Sequence, residues 1–325
     1  MDCLTQPRYT AALVGLGRIA WRFDASGPAG PAATHWGAYR REPRTELICG
    51  FSPVPQERSA FQEATGTETC DSFEQVLQRR PDIVSICSPS EAHFQQVLAC
   101  LDQAVPMVWL EKPPTLRLGD LDKLLEHPSY RSGRTKVLVN YMRRYSRLYE
   151  RLRSIHREQL LGRPVAAQVL YSRELELNGS HFLDFIFSMT GDQPPTAVTV
   201  GESERGKPCP TFLLQFAEDF TVSVGGHDVA YHISDVALVC ANGRATVLSG
   251  GLEARVEEKT ENERYPGFFR LRTTASSLLA TTEPEDSFSE ALNDLLAAHE
   301  ADRAPHSSLA TARLTQAVME TVRNG

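Results

Sequence analysis

Two short segments carry side chains able to move a proton. Glu111-Lys112-Pro113 follows directly on the apolar run Met107–Leu110. A lysine at a strand end, pinned by a proline, is held in a fixed position. Burial beside a cofactor disfavours its charged form and brings its pKa toward neutrality, so that it can give or take the proton of a hydroxyl or carbonyl. The second segment, Asn178-Gly179-Ser180-His181-Phe182-Leu183-Asp184, opens an apolar helix. His181 and Asp184 stand at i and i+3 and share one helix face. There they can meet a substrate. They can equally mark a plain helix start, with Ser180 as cap and Asp184 answering the dipole.

A third segment points to a ligand. Ala11–Val14 reads as a buried strand, and Gly15-Leu16-Gly17-Arg18-Ile19-Ala20 follows in the pattern G-x-G-x-x-G/A. In that pattern Gly15 makes the turn, Gly17 lets backbone approach a pyrophosphate, and Ala20 lets the next helix pack close. The helix start offers free N–H groups to the phosphates. Ligands of parallel sheets lie beyond the carboxyl ends of the strands. Ser52 follows the second strand, Glu46–Phe51, at a place where many dinucleotide folds put an acid. Ser52-Pro53 supplies no carboxylate, a 2′-phosphate is not repelled, and Arg18 and Arg58 are available to meet one. Both NAD and NADP therefore stay open. Ser88-Pro89-Ser90-Glu91-Ala92-His93 follows the strand Asp82–Cys87 and faces the nicotinamide half, with His93 either touching the ribose or capping the next helix.

The elements around these segments form two patterns. Strands alternate with helices through about residue 140, the βαβ rhythm of a parallel sheet. A Gly/Pro loop at residues 24–33 interrupts the first crossover. Thereafter come a charged helix (146–161), a strand (165–175), the apolar helix from 180, and successive strands from 196 to 259. Asn242-Gly243 between apolar runs signals a hairpin, and helices at 288–303 and 309–323 close the chain. The expected fold is α/β: an N-terminal Rossmann parallel sheet (1–125), then an α+β domain with an open, mostly antiparallel sheet (126–325). Composition agrees with a globular enzyme: 41% hydrophobic and 23% charged residues. A net charge of −7 argues against nucleic acid or anionic membrane as partner. No apolar run is long enough to span a bilayer, and the first ten residues do not read as a secretory signal. Seven cysteines without a C-x-x-C pair read as free thiols of a cytoplasmic protein, and metal-ligand spacing is absent.

GLGRIA, SPSEAH, LEKP, VNYMRR and NGSHFLD occur in that order. This series resembles the glucose–fructose oxidoreductase/inositol dehydrogenase (Gfo/Idh/MocA) family over nearly the whole chain. The resemblance implies NAD(P)-dependent oxidation or reduction of a sugar, polyol or nucleotide sugar, by a homo-oligomer. It implies Lys112 as catalytic acid/base and His181 beside the substrate, with Asp184, Tyr141, Arg143 and Asn178 lining the site. Gly15, Gly17, Arg18, Ile19, Ser52, Ser88, Pro89, His93, Glu111 and Lys112 fall in the cofactor-binding segments. Many members carry an aspartate four residues before the histidine; here Leu177 stands there. That departure keeps two other readings in view: a cofactor-binding sensor without turnover, and a redox-neutral lyase, epimerase or glycosidase that uses the hydride transiently.

Overall fold

Six short strands build one parallel sheet in the computed structural model, which describes residues 8–26, 30–274, 279 and 285–324. They are β1 (Tyr9–Val14), β2 (Thr45–Phe51), β3 (Thr69–Cys70), β4 (Ile83–Ile86), β5 (Met107–Leu110) and β6 (Lys136–Val139), in spatial order β3-β2-β1-β4-β5-β6. This is the dinucleotide-binding order, with its switch point between β1 and β4. Alternate residues of β1 feed two cores. Ala11 and Leu13 pack with Phe61 and Trp109, and Ala12 and Val14 with Val97 and Leu101. Both faces are thus buried, as parallel sheets require. The covering helices are α1 (His35–Arg41), α2 (Pro55–Thr65), α3 (Phe73–Gln78), α4 (Ser90–Asp102), α5 (Leu118–Glu126) and α6 (Pro128–Arg131). Local chemistry ends them as expected. Gly66 stops α2 in the left-handed region, and Ser72 caps α3 by accepting from the Gln75 amide.

The glycine turn is not followed at once by a helix. Residues 18–21 form turns and Arg22–Asp24 a 3₁₀ turn, and α1 begins only at His35. Nevertheless His35 N donates to Ile19 O (3.2 Å) and Trp36 N to Ala20 O (2.9 Å). The helix therefore resumes on the carbonyls of its own first turn, with the Gly/Pro loop as an insertion between them. Buried Asp24 closes the insertion by accepting from Ala33 N and from the Thr34 hydroxyl, which in turn caps α1 at Gly37 N. The middle of the loop, residues 27–29, lies outside the described residues, as do Cys3 and the N-terminal segment.

The second unit is a sheet of order β14-β13-β12-β11-β7-β10-β9-β8 with helices on one face. Its elements are α7 (Arg147–Arg157), β7 (Pro164–Ser172), α8 (Ser180–Met189), β8 (Ala197–Val200), β9 (Phe212–Gln215), β10 (Thr221–His227), β11 (Ser234–Cys240), β12 (Gly243–Leu248), β13 (Glu253–Glu261) and β14 (Phe269–Thr274). Only β7 and β10 pair in parallel. Cys240 pairs with Gly243 across the Asn242-Gly243 hairpin. Every residue of α8 is buried, as expected of a helix apolar all round. β14 lengthens the sheet beyond the strands read from sequence.

The compact units do not follow a single cut at residue 125. One covers Met1–Tyr145 with Pro284–Arg313, the other Ser146–Glu283 with Leu314–Gly325. β6 hydrogen-bonds to β5 and so belongs to the parallel sheet. Phe288, Leu292 and Leu295 of α9 (Ser287–Glu300) pack into the Trp109 core of the same unit. The last helix is α10 (Leu309–Asn324). The six cysteines among the described residues are free, with Cys49 and Cys240 in the core and Cys87 half-buried.

His156 near the end of α7 lies edge-on to Phe220, its ring centroid 4.9 Å away, and its Nδ1 has no hydrogen-bond partner among the described residues. Burial and then the Arg157 charge pull its pKa down to about 4. The unfolded chain, with a histidine pKa of about 6.5, binds the extra proton first, so stability falls as pH drops from there toward 4. His156→Phe, which keeps the ring on Phe220, should flatten the fall in melting temperature across that window. An unchanged slope would show that His156 does not contribute to it.

Candidate active site

The carboxyl ends of β1 and β4 meet at Gly15. Its φ of +87° is one that L side chains rarely adopt, and a Cβ there would come within 2.4 Å of Ser88 N. Around Gly17, by contrast, an added Cβ meets nothing within 4 Å. Arg18 is exposed and Ile19 leans on the core. The turn thus presents open backbone at Gly17, framed by the tight junction at Gly15, and it fits a pyrophosphate.

At the end of β2, buried Ser52 donates its hydroxyl proton to Glu57 Oε2 at 2.6 Å and accepts from Val54 N. A carboxylate is therefore present after β2, delivered by α2 rather than by the strand. Arg58 is turned elsewhere, donating to Ser52 O (2.8 Å) and to Asp71 (3.1 Å). Arg22 lies 4.0 Å from Glu57.

At the end of β4, Pro89 precedes α4 and the Ser88 hydroxyl bonds Gln96. His93 is buried and acts as a strut. Its Nε2 meets Ser88 O at 2.9 Å and its Nδ1 meets Pro113 O at 2.7 Å. Both ring nitrogens thus lie against backbone carbonyls, and the N–H of a neutral ring donates to one of the two. The ring neither caps α4 nor offers a free nitrogen.

Glu111 and Lys112 sit where β5 ends. Glu111 Oε1 accepts from His35 Nε2 (2.9 Å) and Asn140 Nδ2 (2.6 Å), and Trp109 Nε1 donates to Asn140 Oδ1 (3.2 Å). Burial works to raise the Glu111 pKa, but the His35 hydrogen bond and charge attraction, then the Asn140 N–H and the Lys112 charge, outweigh it and hold the carboxyl below its usual range. For half-buried Lys112, desolvation lowers the pKa; Arg143 adds to that and Glu111 opposes it. The net shift is downward. Tyr141, two residues after β6, is wholly buried. His35 and Asn140 escape a sequence reading, since nothing in either neighbourhood announces a partner.

In the second unit a π-helical turn, Leu175–Gly179, feeds α8. The Ser180 hydroxyl donates back to Glu176 O (2.8 Å), and α8 has no side-chain cap. Ser180 is therefore no N-cap. Asn178 commits its amide hydrogens to Ser172 O and Ile233 O, both at 3.1 Å. His181 and Asp184 are buried on one face of α8, whereas Leu177 is 51% exposed. Among the described residues no cluster of His, Cys, Asp and Glu could hold a metal ion.

Residues 10–140 match the model of the oxidoreductase family with an NAD-binding Rossmann fold. The matched segment is part of the chain only, about two fifths of it, and lies within the parallel-sheet unit. A myo-inositol 2-dehydrogenase of Thermotoga maritima is 26% identical over 149 residues, covering 42% of this chain and 43% of that protein. The match thus spans about two fifths of that relative's length. Among solved structures, a UDP-N-acetylglucosamine 3-dehydrogenase of Acidithiobacillus ferrooxidans aligns with a TM-score of 0.74 at 16% identity, over 97% of each chain. A 3-ketoreductase of Actinomadura kijaniata, solved with TDP-benzene and NADP, aligns with a TM-score of 0.74 at 15% identity, over 98% of this chain and 97% of that one. The likeness of fold to these structures extends over both units.

The two glycines should respond differently to the same substitution. Gly15→Ala forces the strand ends apart and should lower stability by about 2 kcal/mol or more, with NADH binding lost. Gly17→Ala should leave the melting temperature near wild type while weakening NADH binding. Thermal melts and NADH fluorescence titrations distinguish the two, and equal melts for both variants would refute the close approach at Gly15.

Proposed function

We propose that this protein is an NAD(P)-dependent oxidoreductase acting on a carbinol or keto carbon of a sugar, polyol or nucleotide sugar. The observation that carries the reading is Lys112. Its amine has a pKa pulled downward and sits at the carboxyl end of β5, in the domain whose glycine turn is open to a pyrophosphate. A bound nicotinamide dinucleotide supplies hydride exchange. The turn at Gly15–Ile19, with the Ser88-Pro89 segment, binds and orients it. Lys112 takes the hydroxyl proton on Nζ during oxidation and returns it during reduction, and a lowered pKa increases the neutral fraction that can accept it. His181 assists at the substrate hydroxyl, with Asp184 as its companion. Tyr141, Arg143 and Asn178 bind substrate, Asn178 through its Oδ1, since its amide hydrogens are committed to backbone. The names of the similar proteins, an inositol dehydrogenase and a nucleotide-sugar dehydrogenase, support the substrate class. Free buried thiols support a cytoplasmic location, and the open face of the eight-stranded sheet supports a homo-oligomer.

For the cofactor form we favour NAD. Glu57 places a negative charge beside Ser52 and engages the hydroxyl that would otherwise donate to a 2′-phosphate, while Arg58 is held by Ser52 O and Asp71.

Two measurements test these assignments. Lys112→Met should lower turnover of myo-inositol or UDP-N-acetylglucosamine by about 100-fold or more, followed by NADH absorbance, while NADH binding persists; undiminished turnover removes Lys112 from the mechanism. NADH should bind about tenfold more tightly than NADPH, and Glu57→Gln should narrow that ratio. A wild-type preference for NADPH overturns the choice of NAD.

A further inference from the structure

The His35 ring has no exposed side-chain surface. It lies against Trp109, with ring centroids 4.0 Å apart, and edge-on to Phe288 at 5.5 Å. A fully buried ring packed against two aromatic side chains has no open space to swing into, so its two nitrogens have fixed directions. Nε2 meets Glu111 Oε1 at 2.9 Å, and Nδ1 meets Ser85 Oγ at 3.0 Å. Behind Ser85 stands the Tyr39 hydroxyl, 2.7 Å from the same oxygen. The ionised carboxylate only accepts, so Nε2 carries the hydrogen. Tyr39 donating to Ser85, and Ser85 donating to Nδ1, then leaves no hydrogen of this string without an acceptor. Tyr39 suits that part, because burial raises its pKa and keeps the phenol protonated.

We propose that His35 is the positioning residue of the Glu111–Lys112 pair: its Nε2–H keeps the Glu111 carboxylate ionised and aimed, and thereby gives Lys112 its counter-charge. The inference rests on the reading of Lys112 as the acid/base. Physically, a buried carboxylate is stable as an anion only while N–H groups replace its lost water. Two reach Oε1 here, one from His35 and one from Asn140. Remove the His35 donor and burial regains its hold, so the carboxyl takes up a proton more readily. To the extent that it does, Lys112 loses the negative neighbour that opposes desolvation and the Arg143 charge. Within this unit the ionisable groups facing the pair are His35, the Cys87 thiol and Arg143. Of these, His35 donates a hydrogen bond to the carboxylate at 2.9 Å. His35 stands at the start of α1, where its backbone N–H bonds the Ile19 carbonyl and that of Trp36 bonds the Ala20 carbonyl.

The test reads the Lys112 amine directly and needs no substrate. Full-length protein is labelled with trace acetic anhydride from pH 6 to 11, and acetylation of the Lys112 peptide is followed by mass spectrometry. Glu111→Gln should move the midpoint of Lys112 reactivity down by about one unit relative to wild type, and His35→Leu should move it in the same direction by up to that amount. His35→Gln, which keeps an N–H donor near the Nε2 position, should restore the wild-type midpoint. Should His35→Leu fail to fold, His35→Asn removes the Nε2 donor with less change in volume and should give the same downward shift. A wild-type midpoint in a folded His35→Leu or His35→Asn protein overturns the proposal, as does a His35→Gln midpoint that stays with Leu. A chain that turns over no sugar would sink the functional reading yet leave this midpoint comparison intact.

Discussion

A carboxylate withdrawn from water must be met by hydrogen-bond donors or by positive charge, and Glu111 imposes that requirement on this fold. An unmet buried polar group costs about 1–3 kcal/mol, and more when charged. The requirement is met from three strands and a helix. β5 carries the acid itself, the residue after β6 brings Asn140, β4 brings Ser85 behind the histidine, and α1 brings His35. Trp109 of β5 orients Asn140 and also flanks the imidazole. The polar string and the aromatic core of the unit are thus one construction, and donors from α1 and from the residue after β6 converge on a single oxygen.

The same requirement explains why an insertion is tolerated inside the first helix. What the site needs from that helix is one ring at one place, together with the start of a hydrogen-bonded ladder. Both are delivered when His35 and Trp36 bond the carbonyls of Ile19 and Ala20. Asp24 and Thr34 secure the return of the chain. Length between Ala20 and Thr34 matters less, because loop-closure cost grows slowly with the number of residues.

Local patterns were legible and distant partners were not. The glycine turn, the Ser72 cap, the Gly66 stop and the Asn-Gly hairpin each depend on residues a few places apart, so the sequence displays them. His35 has partners 50 and 76 residues away, and its segment reads only as a helix start. Glu57 looks like the solvent side of an amphipathic helix; the turn at Val54 brings it back over Ser52. β14 was missed because residues 269–273 are all exposed, which removes the alternation that marks a half-buried strand. The apolar stripe of α9 is plain, but nothing in it says that the helix returns to the first sheet.

The position of the amine follows from how these contacts close on one another. Lys112 stands between Glu111, whose carboxylate is anchored from α1 and from Asn140, and Pro113, whose carbonyl is held by His93. The other nitrogen of His93 lies 2.9 Å from Ser88 O, and the Ser88 backbone lies against Gly15 in the glycine turn. Glycine turn, β4 end and lysine are therefore joined by direct contacts, with no flexible segment between them. A reactive group carried on a mobile loop has to be ordered each time a ligand binds, at an entropic cost. Here the backbone on either side of Lys112 is already fixed by strand ends and a buried imidazole, so the ordering that remains is confined to the lysine side chain.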